Sequence, residues 1–91
     1  MDKKPIVSVV IPARNRKSQL KYALDSVFAQ TFLDHEIIVV DDASTDGTSR
    51  YISTAYPGIK LITLPRQKNA AGARNEAIKA AEGNFIAFLD S

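Results

Sequence analysis

The sequence predicts an α/β fold with a four-stranded, mainly parallel sheet, and three observations carry that reading. Four short apolar runs occupy residues 6–11, 36–40, 60–64 and 85–89. The stretches between them have helical spacing of their apolar residues, and the breaks at Pro12, Pro57-Gly58 and Pro65 leave little room for linkers. Strands that alternate with helices in this way pair in parallel and carry their helices on the sheet faces.

Each element has its own physical reason. Ile6-Val7-Ser8-Val9-Val10-Ile11 is a β-branched run stopped by Pro12, the pattern of a strand buried on both faces. Ser18 is the expected N-cap of a first helix whose Leu20, Ala23, Leu24, Val27 and Phe28 follow the i, i+3, i+4, i+7, i+8 rule. Glu36-Ile37-Ile38-Val39-Val40 is the second strand and ends abruptly in Asp41-Asp42. Residues 44–48 offer turn and cap chemistry before a helix near 47–55. Residues 60–64 form a third, shorter strand. The Ala-rich stretch 70–82 places Ala73, Ala77 and Ala80 on one stripe, for close packing on a sheet, with Gly83 as the expected C-terminal stop. Phe85-Ile86-Ala87-Phe88-Leu89 is the fourth strand, two residues before the end at Asp90-Ser91. A parallel sheet whose last strand closes the chain lacks the helix that should cover it. The chain is therefore expected to be the front part of a larger protein, cut inside a functional loop, with the apolar residues of its last strand exposed and open to self-association.

Composition narrows the function classes. The 91 residues are 45% apolar and 24% charged, with four Phe and three Tyr, which argues against disorder. Twelve bases against ten acids leave +2, too weak to imply nucleic acid or an anionic membrane as partner. No run approaches the ~20 apolar residues of a membrane span, and the leader is too short for a signal peptide. A cytoplasmic location is the default. The absence of cysteine excludes a disulfide framework, a thiolate metal site and a thiol nucleophile.

In open α/β sheets ligands bind beyond the carboxyl ends of the strands. Four segments project there: Pro12-Ala13-Arg14-Asn15, Asp41-Asp42-Ala43-Ser44, the 65–75 loop and Asp90-Ser91. A carboxylate pair at a helix start is favoured by the helix dipole alone. Two strands that both end in Asp, with Arg14 and Arg74 nearby, point instead to a ligand, because like carboxylates repel unless a cation or a donor-rich molecule compensates them. His35 stands alone and reads as a surface residue, and Arg16-Lys17 reads as solubilising charge. Residues 69–75 contain one glycine, so neither a P-loop nor a dinucleotide fingerprint is present.

These motifs resemble the N-terminal nucleotide-binding half of family-2 glycosyltransferases, inverting enzymes with a Rossmann-like GT-A fold, over nearly all of the chain. Val7-Ser8-Val9-Val10-Ile11-Pro12 is similar to the family's first strand, and Ala29-Gln30-Thr31-Phe32 to the turn that closes its first helix. The run from Glu36 to Thr48 is close to the family's E-I-I-V-V-D-D-G-S-T-D-G-T and is the most specific signal. Ala73-Arg74-Asn75 and Ala81-Glu82-Gly83 match the third helix and its end, and Phe88-Leu89-Asp90-Ser91 the start of the metal-binding F-L-D-x-D.

The resemblance implies a UDP-sugar or similar nucleotide-sugar donor, with Mn²⁺ or Mg²⁺ as cofactor. Pro12, Ala13 and Arg14 would line the base pocket, Arg14 standing where the family commonly has Tyr. Asp42 would accept the base imide N–H, and Asp41 would shape that turn. Gly72 and Arg74 would face the nucleotide from the other side, and Asp90 would hold the ribose or the metal. Ala43 stands where the family has Gly, which asks for a non-positive φ at that turn. No catalytic base is implied within residues 1–91. The acceptor, a sugar, a lipid-linked molecule or a protein, would meet residues further along. Two other enzyme or binding classes share the architecture. A sugar-nucleotide pyrophosphorylase would need a Gly-rich basic loop after the first strand, and a Mg²⁺-binding receiver module an acidic pair there. An inactive structural fragment is the third alternative.

Overall fold

A computed structural model describes residues 4–29 and 34–89, so Gln30, Thr31 and Phe32 of the expected turn, and Asp90 and Ser91, lie outside the described residues. The elements run β1 (Val7–Ala13), α1 (Lys17–Phe28), β2 (His35–Asp42), α2 (Thr48–Ala55), β3 (Lys60–Leu64), α3 (Asn69–Ala80) and β4 (Phe85–Phe88). The four strands form one sheet in the order β3-β2-β1-β4, with every pairing parallel. Val7 pairs with His35 and Ala13 with Asp41, so β1 and β2 end together. Both run further than their apolar cores. β1 continues through Pro12, and β2 takes in Asp41 and Asp42.

The period-2 alternation of these strands sorts the core into two layers. Ile11, Ala13, Ile37 and Val39 pack with Leu20, Leu24 and Val27 of α1 and Ile52 of α2. Val10, Ile38 and Val40 pack on the other face against Ala73 and Ala77 of α3. The small side chains of α3 let it lie close across β1 and β2, as the Ala-rich stripe predicts. β4 sits at the sheet edge with Phe85 67% and Phe88 51% exposed. No helix among the described residues is long and apolar enough to cross a membrane.

Three local expectations are corrected. α1 begins at Lys17, not after Ser18, and no side chain of its preceding residue, Arg16, caps it. Its first amide instead reaches across the fold, the Lys17 N–H donating to Asp46 Oδ2 at 3.4 Å. α3 stops at Ala80, and Gly83 is not its terminator. A Cβ on Gly83 would lie 2.6 Å from the Ser8 amide nitrogen, so the glycine is required by the close approach of this segment to β1. Ala43 adopts φ +60°, the left-handed conformation that its side chain was expected to exclude. That conformation costs an L-residue about 1–2 kcal/mol. Ala43→Gly is therefore expected to stabilise the protein by about 0.5–1 kcal/mol, after allowing for the greater backbone entropy of glycine in the unfolded chain. Urea unfolding with an unchanged slope and a higher midpoint would register it.

The amino ends of the strands are held by a polar knot. Ser8 Oγ donates to Glu36 Oε2 at 2.5 Å and accepts the Gly83 N–H at 2.8 Å. The Glu82 N–H donates to the same Glu36 oxygen at 2.7 Å, and Lys60 Nζ lies 2.7 Å from the other. Burial pushes the Glu36 carboxyl up, but the Glu82 N–H, the Lys60 ammonium and the Ser8 hydroxyl outweigh it and hold the group below its ordinary 4.5. Because the folded value is the lower one, this knot stabilises the fold fully above about pH 4.5 and loses that contribution as pH falls through the folded value. Thermal melts in acid should accordingly show a shallower pH dependence in Glu36→Gln than in the wild type.

Candidate functional site

The strand pleat decides what Asp41 and Asp42 do. Neighbouring residues of a strand point to opposite faces, so Asp41 turns toward α2 and Asp42 toward α3. Asp41 is 2% exposed, its Oδ1 accepting the Ser44 N–H at 3.0 Å and its Oδ2 the Ser49 hydroxyl at 2.5 Å. The Ser49 hydroxyl hydrogen is thereby used, so at 2.7 Å the Thr63 hydroxyl donates to Ser49. Both oxygens of Asp41 are satisfied by the protein, and the residue does not line the cleft described next.

Asp42 lines a cleft of about 520 Å³ beyond the ends of β1 and β2. Pro12, Ala13, Arg14 and Arg16 form its β1 side, and Gln67, Asn69, Ala70, Ala73 and Arg74 its α3 side. Three arginines against one carboxylate make this a site for an anion that also carries a hydrogen-bond donor. Asp42 is 4% exposed and its Oδ1 accepts the Lys68 N–H at 2.6 Å. Arg74 is propped by β4, its guanidinium carbon 5.8 Å from the centre of the Phe88 ring, a cation–π distance.

The two loops at the cleft mouth are fastened to each other. Asn15 takes φ +54°, which Asn tolerates better than most residues. Its N–H donates to Ser44 Oγ at 2.8 Å, and its Oδ1 accepts the Thr45 N–H at 2.7 Å. Asp46 Oδ1 accepts the Thr48 N–H at 3.1 Å and the Thr48 hydroxyl, closing the entry to α2. The Asn15 bonds tie the loop after β1 to the loop after β2 at the cleft mouth.

Of the residues singled out in the sequence, Pro12, Ala13, Arg14, Asp42 and Arg74 meet in one cleft. Asp41 faces inward. Gly72 is absent from the cleft wall, and a Cβ there would lie 2.6 Å from Lys68 Cβ, so its service is to admit Lys68. Asp90 falls outside the described residues. Arg16, read as solubilising charge, belongs to the cleft, and its position two residues past Arg14 in the loop after a buried strand was the available signal. Asn69 was also missed. Its φ of +64° and its Oδ1, which accepts the Gly72 N–H at 3.1 Å, set the start of α3. Among the described residues no three carboxylate, imidazole or thiol groups converge on a point where a metal ion would sit.

The four-stranded parallel α/β sheet, with a basic, carboxylate-bearing cleft at its carboxyl edge, matches the GT-A glycosyltransferase fold. The Glycosyl transferase family 2 model matches residues 8–91, and the chain belongs to that family. It is 42% identical over 87 residues to UDP-Glc:alpha-D-GlcNAc-diphosphoundecaprenol beta-1,3-glucosyltransferase WfgD of Escherichia coli, covering 94% of this chain and 34% of that protein. It superposes on S. aureus TarS 1-349 in complex with UDP at a TM-score of 0.86 and 33% identity, covering 94% of this chain and 27% of that one. Mannosyltransferase PcManGT from Pyrobaculum calidifontis, in complex with GDP-Man and Mn²⁺, is similar at 0.80 and 29% identity, covering 97% and 28%. The chain spans about a third of the length of curated relatives such as the first. The pyrophosphorylase and receiver readings are not favoured by this membership.

Proposed function

We propose that residues 1–91 hold the nucleotide of a UDP-sugar donor for transfer of the sugar, with inversion, to an acceptor hydroxyl. The observation that carries the reading is the position of Asp42. The β2 pleat turns its carboxylate into the cleft that Arg14, Arg16 and Arg74 line. A carboxylate accepts the base N–H, while guanidinium groups meet base oxygens and the diphosphate, whose charge must be balanced as it leaves. The UDP and GDP-Man complexes of the similar structures support a nucleoside diphosphate in such a cleft.

These residues hold the donor, and none of them serves as the general base. Asp90 as a ligand of Mn²⁺ or Mg²⁺ belongs to the proposal as well, supported by the Mn²⁺ of the mannosyltransferase complex. Calorimetric titration tests the reading. A hydrogen bond to a charged group contributes about 1.5–3 kcal/mol, so Asp42→Ala should weaken UDP by about tenfold or more while leaving a folded spectrum. Unchanged affinity in that variant would contradict it.

A further inference from the structure

β4 is an edge of the sheet, and its bonds to β1 fix which of its backbone groups face outward. The Phe85 N–H donates to the Ile6 carbonyl and the Leu89 N–H to the Val10 carbonyl, both at 3.0 Å. Backbone groups alternate in direction along a strand, so those of Ile86 and Phe88 point away from β1, to the open side. Such a row of donors and acceptors is a template for another strand. Natural edges guard against that pairing with charged residues and proline, and residues 85–89 contain neither. The opposite edge does have them, since β3 begins at Lys60 and is followed by Pro65. Ile86 and Phe88 are 38% and 51% exposed, and α3 packs over β1 and β2 and leaves the approach to β4 open.

This edge is complementary to itself. In an antiparallel pair about a two-fold axis at Ala87, Ile86 of one copy faces Phe88 of the other. Both residues turn their N–H and C=O outward, so each facing pair exchanges both of its N–H···O=C bonds. Ala87 falls at the narrow, non-hydrogen-bonded position, where Cα atoms approach to about 4.5 Å and a methyl group fits. On one face the β-branched Ile86 meets the Phe88 ring, and on the other Phe85 meets Leu89. Cross-strand pairs of these types stabilise antiparallel sheets. We propose that the outer edge of β4 is a homodimer interface, at which a second copy of this chain adds its own β4 antiparallel and the two sheets become one. The pairing consumes the open β4 edge of both copies, so association stops at the dimer. An interface this short gives a weak, concentration-dependent dimer, and it stands or falls independently of donor binding.

Sedimentation combined with amide hydrogen exchange, both followed across a concentration series of the protein, tests the proposal. Between about 10 µM and about 1 mM, the range of weak interfaces, the mass should rise toward that of a dimer and no further. Over the same series the amides of Ile86 and Phe88 should slow, while those of Phe85 and Leu89, already bonded to β1, should not change. Ile86→Pro deletes an N–H that faces the open side and leaves the bonds to β1 intact. Two-fold symmetry places that change twice in the interface, so dimerisation should weaken by about tenfold or more. Ile86→Lys, which sets a charge on the edge, should act in the same direction. A constant monomer mass would overturn the proposal, as would assemblies that grow past the dimer. Association without slowing at Ile86 and Phe88 would place the interface elsewhere. Slow exchange of those two amides in a monomer would mean that the chain covers its own edge. Either result overturns the proposal, and if neither variant folds, the wild-type exchange pattern decides alone.

Discussion

Asp41→Ala should destabilise the protein by about 3 kcal/mol, far more than a substitution at an exposed carboxylate. The Asp41 carboxylate is buried and accepts from the Ser44 amide and the Ser49 hydroxyl. Truncation leaves the Ser44 N–H without its acceptor in the turn and strips Ser49 of its charged partner, and unsatisfied buried polar groups cost about 1–3 kcal/mol each. A domain of this length has only about 5–14 kcal/mol in total. Denaturant unfolding checks the figure. A change within about 0.5 kcal/mol would mean that the Asp41 network is replaceable by water.

Gly83→Ala is the second large effect, with an expected loss of about 2–4 kcal/mol from the addition of one methyl group. The new Cβ would lie 2.6 Å from the Ser8 nitrogen, 2.7 Å from its Oγ and 2.8 Å from the Val7 carbonyl carbon. Two of those atoms are backbone of β1, so a side-chain rotation cannot relieve the contact. The segment must retreat, which breaks the Gly83 N–H bond to Ser8 and loosens the Glu82 N–H bond to Glu36. A shift of the melting temperature in Gly83→Ala without a matching shift in Gly58→Ala provides the check, since Gly58 has open space around it.

The fold was legible because strand and helix periods are local properties. Four apolar runs and three helical stretches lie close to where the sequence puts them, with ends differing by at most two residues. The division of labour between Asp41 and Asp42 was also within reach. Continuing the alternation of Ile37 and Val39 through Asp41, and of Ile38 and Val40 through Asp42, sends the two carboxylates to opposite faces. Treating the strand as finished at Val40 hid that consequence. Other features depend on contacts that no local pattern encodes. Gly83 answers to Ser8 and Gly72 to Lys68, and neither glycine has the positive φ that marks a turn glycine. The left-handed Ala43 is held by its surroundings, between the carboxylate of Asp41 and the Ser44–Asn15 link, against the preference of its own side chain.

The most direct test of the nucleotide-binding cleft is a map of backbone amide shifts on addition of UDP. The largest changes should fall in residues 11–15, 41–44 and 68–75, the ends of β1 and β2 and the start of α3. Shifts confined to the opposite end of the sheet, around Glu36, Gly58 and Lys60, would contradict a donor site built on Asp42.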